Sequence, residues 1–123
     1  MKILLDTSIL IELSKGKLIL PTTEYYYINP IVYSEMLYGV LIIKKSEDLL
    51  VNFLKELEVS TLPIIIETAS ISTRIKLHLS REGNRIPDND ILIAASCIEH
   101  DLELMTLNKK HFKRISGLVL HAA

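Results

Sequence analysis

Cysteine is nearly missing from this chain. Cys97 stands alone in 123 residues, which excludes an intramolecular disulfide and a zinc site built from several thiolates. Net charge is lacking too. The 14 lysines and arginines almost cancel the 15 aspartates and glutamates, leaving a formal charge of −1, so no global basic field draws the molecule to nucleic acid. Uninterrupted apolar runs end after a few residues, well short of the ~20 needed to span a bilayer. The residues after Met1 read as a strand of the fold rather than a secretory leader, so a cytoplasmic protein free of the membrane is expected. No internal repeat, linker or low-complexity tract interrupts the chain. In their place stands core material: hydrophobic residues make up 49% and charged residues 24%, a globular composition. The 123 residues suit one domain over 1–123 with a sizeable core.

The most informative stretch is Lys2-Ile3-Leu4-Leu5-Asp6-Thr7-Ser8-Ile9-Leu10. Residues 2–5 predict a buried strand, with Thr7 or Ser8 capping a helix over 8–15 that stops at Gly16. Tyr25–Ile28 suits a short strand, Pro30 opens a helix to about Ile43, and another helix covers roughly 46–57. Residues 58–62 form a short strand or plain loop. After Pro63 a long helix runs to about Glu82 and ends at Gly83-Asn84. Asp88 or Asn89 caps a helix to about His100. Leu102–Thr106 is a strand, Lys109–Arg114 a helical turn, and Leu118–His121 a last strand. Strands alternating with helices imply a mostly parallel sheet covered on both faces, an α/β sandwich.

Three acids stand out in apolar surroundings. Asp6 ends the first strand, at the carboxyl edge where open parallel sheets bind ligands, although a turn aspartate can also be no more than a helix cap. Glu35 lies on or beside the buried face of the Pro30 helix, flanked by Val32, Met36 and Leu37, with no lysine or arginine one turn away. A carboxylate so placed calls for a cation partner. Asp90 sits in the first turn of the most apolar helix, where the dipole favours an anion. Thr106 and Asn108 follow the Leu102–Thr106 strand at the same sheet edge as Asp6. Carboxylates forced together repel unless a cation intervenes, and hard oxygen ligands suit Mg²⁺ or Mn²⁺. Such an ion activates water and neutralises charge on a phosphoryl oxygen. The residues thus point to metal-assisted phosphodiester hydrolysis.

Other features carry a plain reading beside a functional one. Lys109, Lys110, Lys113 and Arg114 follow Leu104 with no intervening or following acid, and Arg74, Lys76, Arg81 and Arg85 form a sparser middle set. Either is a solvated face or a rim touching phosphates. Cys97, within Ile91–Ile98, reads as a small buried hydrophobe. Asp88 is a helix cap or an outer contributor to the site. His78 and His100 read as surface or boundary residues, and His121 as terminal.

Leu4-Leu5-Asp6-Thr7-Ser8, Tyr33-Ser34-Glu35-Met36-Leu37-Tyr38-Gly39, Asp90-Ile91-Leu92-Ile93-Ala94-Ala95 and Met105-Thr106-Leu107-Asn108 resemble, in order and spacing, the motifs of the PIN-domain nucleases. More narrowly, essentially the whole chain is similar to the VapC toxins of prokaryotic toxin–antitoxin pairs. The resemblance implies a three-layer α/β/α sandwich with strand order 3-2-1-4-5 and a metal-dependent endoribonuclease. It assigns the core acids to Asp6, Glu35 and Asp90, a fourth position to Asn108, and supporting hydroxyls to Thr7, Ser8 and Thr106. Mg²⁺ or Mn²⁺ would bind Asp6, Glu35 and Asp90, with Asn108 joining directly or through water. Arg85, Lys109, Lys110, Lys113 and Arg114 become candidates for RNA phosphate contacts. The family also implies a homodimer, a cognate VapB-like antitoxin, and DNA binding only through that antitoxin. Tyr25, Tyr26, Tyr27, Tyr33 and Tyr38 supply aromatic surface for such partners, or pack in the core.

Two departures from the family pattern matter. Asn108 is neutral where many relatives have Asp, and His111 precedes Phe112 where relatives often carry another acid. His111 is then a metal or phosphate contact or an exposed residue of a basic turn. Two other classes remain open on the residues alone: a non-catalytic PIN scaffold that binds RNA or protein, and an aspartyl-phosphate enzyme or phosphoacceptor. The second lacks support, since Ser8 stands where a dehalogenase-type enzyme has its second aspartate.

Overall fold

The computed structural model describes residues 1–122. Strands β1 (Lys2–Leu5), β2 (Tyr25–Ile28), β3 (Ser60–Thr61) and β4 (Glu103–Met105) form one parallel sheet in the order β3-β2-β1-β4. Helices α1 (Thr7–Ser14), α2 (Pro30–Ile42), α3 (Glu47–Glu56), α4 (Ile66–Arg81), α5 (Asp88–His100) and α6 (Lys109–Phe112) join and cover the strands. Ile3, Leu4 and Leu5 of the central β1 are all fully buried. Because successive side chains of a strand point to opposite faces, both faces of the sheet are covered, as an α/β sandwich requires.

The expected fifth strand shrinks to a bridge. Leu118–His121 meets β4 only around Leu104, whose N–H donates to the Val119 carbonyl and whose carbonyl accepts from His121 N–H. Leu120 thus pairs in parallel with Leu104, on the side of β4 away from β1. The order 3-2-1-4-5 survives with its last member one residue wide. β4 is itself only three residues long and offers little ladder to a further strand. His121 also bonds Glu103 Oε1 through Nδ1 at 2.8 Å, so it fastens this tail rather than merely ending it.

Several boundaries differ from expectation for identifiable reasons. α1 begins at Thr7 because Asp6 itself is the cap: its carboxylate accepts from Thr7 N–H at 2.8 Å. Thr7 and Ser8 are inside the helix, their hydroxyls free for other work. α5 begins at Asp88 with Pro87 before it, so neither Asp88 nor Asn89 is its cap. α4 starts at Ile66, three residues beyond Pro63, with Thr68 folding back to accept from the Ile65 N–H. It stops at Gly83 (φ +72°), a left-handed turn that lets Asn84 N–H reach the Leu79 carbonyl. At the far end of α5 the same turn is made by Asp101 (φ 55°), a residue type that tolerates it better than most.

The path of the chain decides where a site can form. It runs from β1 to β2 and β3 on one side, then crosses to β4 on the other. The strand order therefore reverses beside β1, and the crevice at the carboxyl ends of β1 and β4 is the switch point of the sheet.

Candidate active site

Register brings Asp6 and Thr106 together. Leu5 pairs with Met105, and the Asp6 N–H donates to the Met105 carbonyl at 3.0 Å. The next residues on the two strands thus meet at the switch point. Asp6 is 6% exposed and Thr106 3%. A carboxylate this deep needs donors, and three are supplied. Thr7 N–H reaches Oδ1 at 2.8 Å, while Ser8 Oγ (3.0 Å) and Thr106 Oγ1 (2.6 Å) both donate to Oδ2. Each hydroxyl also accepts from a backbone N–H of the following loop: Ser8 Oγ from Leu107 at 3.1 Å, Thr106 Oγ1 from Asn108 at 2.9 Å. A hydroxyl can do both at once, so the pair ties the Asp6 carboxylate to the loop that carries Asn108.

Glu35, half-buried on α2, faces Asp6 across the first turn of α1. Thr7 Oγ1 donates to its Oε1 at 2.6 Å, and Asn89 Nδ2 approaches Oε2 at 3.4 Å. The cation partner expected for Glu35 is absent among the described residues. Its partners are a hydroxyl and an amide. Asp90, half-buried on the first turn of α5, meets His111 Nδ1 at 3.1 Å through Oδ2. Burial pushes its carboxyl above the usual carboxylate range; the charges of Asp6 and Glu35 push the same way, and His111 opposes them. Asp90 therefore feels the charge of both other acids. Asn108 caps the short α6 without a capping side-chain bond, and its Nδ2 lies 2.8 Å from His111 Nδ1.

The supporting cast is therefore Thr7 for Glu35, Ser8 and Thr106 for Asp6, and His111 with Asn108 for Asp90. Asn89 and His111 join a network to which composition alone did not assign them. Asp88 stays out: it is exposed and pairs with Lys76 at 3.1 Å. Arg85 is exposed beside a cavity of about 390 Å³ lined in part by Lys76, Asn84 and Asp88, next to the start of α5 rather than among the acids. Lys109, Lys110, Lys113 and Arg114 are all exposed on and after α6. Cys97 is buried on α5, and burial with the Asp6 charge pushes its thiol well above the ordinary range, so it packs as an apolar residue.

Among the described residues, no lysine or arginine pairs with Asp6, Glu35 or Asp90, whereas acids outside the site hold ion pairs such as Lys76–Asp88 and His78–Glu82. A phosphoacceptor aspartate would want such a basic neighbour. Nor, among those residues, do three carboxylate, imidazole or thiolate side chains already converge on one metal-ligating point. Glu35 is turned to Thr7 and Asp90 to His111. Their chemistry nevertheless fits a hard divalent ion: carboxylates, hydroxyls and an amide, with like charges that no lysine or arginine among the described residues offsets.

Residues 3–118 match the family model described as the PIN domain. Over 126 aligned residues the chain is 37% identical to ribonuclease VapC1 of Rickettsia felis, covering 96% of this chain and 93% of that protein. The chain belongs to the PIN-domain family and, within it, to the VapC ribonucleases. Ribonuclease VapC of Rickettsia bellii is 36% identical over the same shares. Among solved structures, the VapBC2 complex of Rickettsia felis, bound to a fragment of its promoter DNA, superposes with a TM-score of 0.84 at 27% identity and covers 98% of each chain. The VapC fold thus spans nearly the whole sequence, with Asp6, Glu35 and Asp90 at its sheet edge. The crevice next to them is apolar. A groove of about 600 Å³ runs between α1, α2 and α3, with Thr7 and Glu35 at one end and Ile11, Val40, Ile43 and Phe53 along it.

Proposed function

We propose that this chain is a divalent-metal-dependent endoribonuclease and the toxin of a VapBC-type toxin–antitoxin pair. The observation that carries the reading is Asp6: nine-tenths buried at the switch point, fixed by three donors, in one cluster with two further acids and no paired lysine or arginine among the described residues. Asp6, Glu35 and Asp90 would hold Mg²⁺ or Mn²⁺, with Asn108 completing the set directly or through water. When bound, such an ion lowers the pKa of water and stabilises charge on a phosphoryl oxygen. The chain's own part is positional. Ser8 and Thr106 hold the Asp6 carboxylate in one orientation, and Thr7 does the same for Glu35, so their oxygens are aimed before substrate arrives. Lys109, Lys110, Lys113 and Arg114 offer an exposed basic rim next to Asn108 for the RNA backbone.

The apolar groove between α1, α2 and α3 supports a protein partner, a VapB-like antitoxin segment laid beside Glu35. Tyr38, Leu41 and Ile42 extend apolar surface on α2, each at least half exposed. A second copy of the chain is a further expected partner, and DNA would be bound only through the antitoxin. No helix among the described residues is long and apolar enough to cross a membrane, and a cytoplasmic setting suits an RNA target.

Asp6→Asn tests the reading. The substitution keeps the shape and the cap, since Asn caps about as well as Asp, but it removes one of three repelling charges. RNA cleavage is expected to fall to background and Mg²⁺ or Mn²⁺ affinity to drop. Intact cleavage with undiminished metal affinity would leave Asp6 a helix cap and end the proposal.

A further inference from the structure

His111 is the one side chain in this cluster whose partners conflict. Phe112, fully buried, pins α6 to the core, while the His111 side chain beside it is 39% exposed. Its Nδ1 lies 3.1 Å from Asp90 Oδ2 and 2.8 Å from Asn108 Nδ2. An imidazole nitrogen carries a hydrogen or a lone pair, not both. Facing an amide nitrogen it must accept; facing a carboxylate it must donate. Turning over the Asn108 amide, whose oxygen and nitrogen are interchangeable in shape, leaves Nδ1 between two oxygens. A hydrogen on Nδ1 could then be shared between them, or a cation could take its place.

The spacing suits a shared cation as well as it suits a hydrogen bond. Two ligands on adjacent corners of an octahedron, each about 2.1 Å from a small divalent ion, lie about 3.0 Å apart. Asp90 Oδ2 and His111 Nδ1 stand at nearly that separation, 3.1 Å, and Asn108 is close to it at 2.8 Å. The remaining histidines are engaged elsewhere: His78 with Glu82, His100 with Glu99 and His121 with Glu103.

We infer that His111 is itself a ligand of the metal through Nδ1, beside Asp90, and that this nitrogen makes the site prefer Mn²⁺ to Mg²⁺. The inference rests on the metal-nuclease reading and sharpens it. Oxygen donors alone suit both ions. An imidazole is a softer ligand that Mg²⁺ takes up poorly and transition metals accept well.

Pulsed EPR of the full chain loaded with Mn²⁺ reads this directly, without any cleavage assay. The unmodified chain should give ¹⁴N coupling to Mn²⁺, lost in His111→Ala and His111→Asp. Calorimetric titration gives the second reading. His111→Ala should weaken Mn²⁺ binding about tenfold, the lower end of what a supporting group contributes at metal sites, with much less effect on Mg²⁺. His111→Asp, which restores an oxygen donor, should move the ratio of affinities toward Mg²⁺. Mn²⁺ binding that is lost in Asp6→Asn but shows no ¹⁴N coupling would overturn the inference alone, leaving His111 as a hydrogen-bonding support for Asp90. Failure of both ions to bind the unmodified chain would overturn the metal-nuclease reading with it. The EPR experiment needs no variant to fold.

Discussion

Asn29 holds two of the acid-bearing helices together, and its replacement offers a quantitative test of how the site is built. It is fully buried between the end of β2 and the start of α2. Its Oδ1 accepts from Ile31 and Val32 N–H at 3.0 and 3.1 Å, capping the helix that carries Glu35. Its Nδ2 donates to Ser96 Oγ at 2.9 Å and to the Leu92 carbonyl at 3.3 Å, both on the helix that carries Asp90. Asn29→Ala removes the cap, which costs about 1 kcal/mol. It also removes the tie to α5. Loss of a good buried hydrogen bond with one partner left unmatched costs about 1–2 kcal/mol, and the longer bond to Leu92 adds little. A total of about 2–3 kcal/mol corresponds to a fall in Tm of about 10 °C for a domain of this size.

Asn29→Ser separates the two roles, because serine keeps a capping oxygen but is too short to reach α5 as the amide does. It should recover about 1 kcal/mol of the loss. Metal affinity, measured by titration well below the melting temperature, should stay about tenfold below that of the unmodified chain, as when support for ligands is removed elsewhere. Melting curves and calorimetry on the two variants give both numbers. Asn29→Ala melting within about 2 °C of the unmodified chain would refute the energetic argument, since it allows no room even for the cap. Full metal affinity in Asn29→Ser would refute the claim that this amide sets the spacing of Glu35 and Asp90.

Two further perturbations follow from charge. Burial, Asp6 and Glu35 hold the Asp90 carboxyl above its usual range, so the folded chain binds that proton more tightly than the unfolded one. Its contribution is present below the ordinary carboxylate pKa and is lost as pH rises through the raised value. In chelator, Asp90→Asn should therefore melt higher than the unmodified chain at neutral pH, with the gap closing toward about pH 4; equal melting at both pH values would refute this. The exposed rim behaves differently: Lys109→Gln with Lys113→Gln should weaken RNA binding similarly across sequences and flatten its salt slope by about 0.7 for each phosphate charge no longer neutralised. Calorimetric metal affinity should not change, and an unaltered slope would return these lysines to an ordinary solvated surface.

The acids were legible from the sequence because each sits at a punctuated position. Asp6 ends an apolar strand, Glu35 interrupts the apolar face of a proline-opened helix, and Asp90 opens an apolar helix. The alternation of strand and helix then placed Asp6 and Thr106 on one edge, since parallel strands bring all their carboxyl ends together. The last strand was not legible as a bridge, because pairing length depends also on the partner, the three-residue β4, and Leu118–Leu120 has the apolar composition of a full strand. The cap of α1 falls on Asp6 rather than on Thr7 or Ser8 for a related reason. Thr, Ser, Asp and Asn all cap well, and which one does so is decided by what else needs its side chain.

That competition explains what the residue pattern hid. The Asp6-Thr7-Ser8 run reads locally as three candidate caps, yet only Asp6 caps α1. Thr7 reaches Glu35, 28 positions away, and Ser8 bonds Leu107 N–H, 99 positions away. The Asn29-Pro30 pair is legible as a helix start, but nothing near it in sequence announces that the other end of the same amide grips Ser96. His111 is the extreme case: the sequence leaves it a metal or phosphate contact or a solvated residue of a basic turn, and its contact with Asp90 arises only from α6 packing against the start of α5. Short polar side chains are ambiguous in sequence because they satisfy local backbone as readily as distant carboxylates. In this fold the sheet edge removes the ambiguity. With Asp6 buried and accepting from three donors, the neighbouring hydroxyls are committed to the carboxylates. Asn108 and His111 are then set by the loop those hydroxyls hold. Substitution of the hydroxyls at Ser8 and Thr106 should therefore disturb Asn108 as well as Asp6, whereas loss of the Thr7 hydroxyl should act on Glu35.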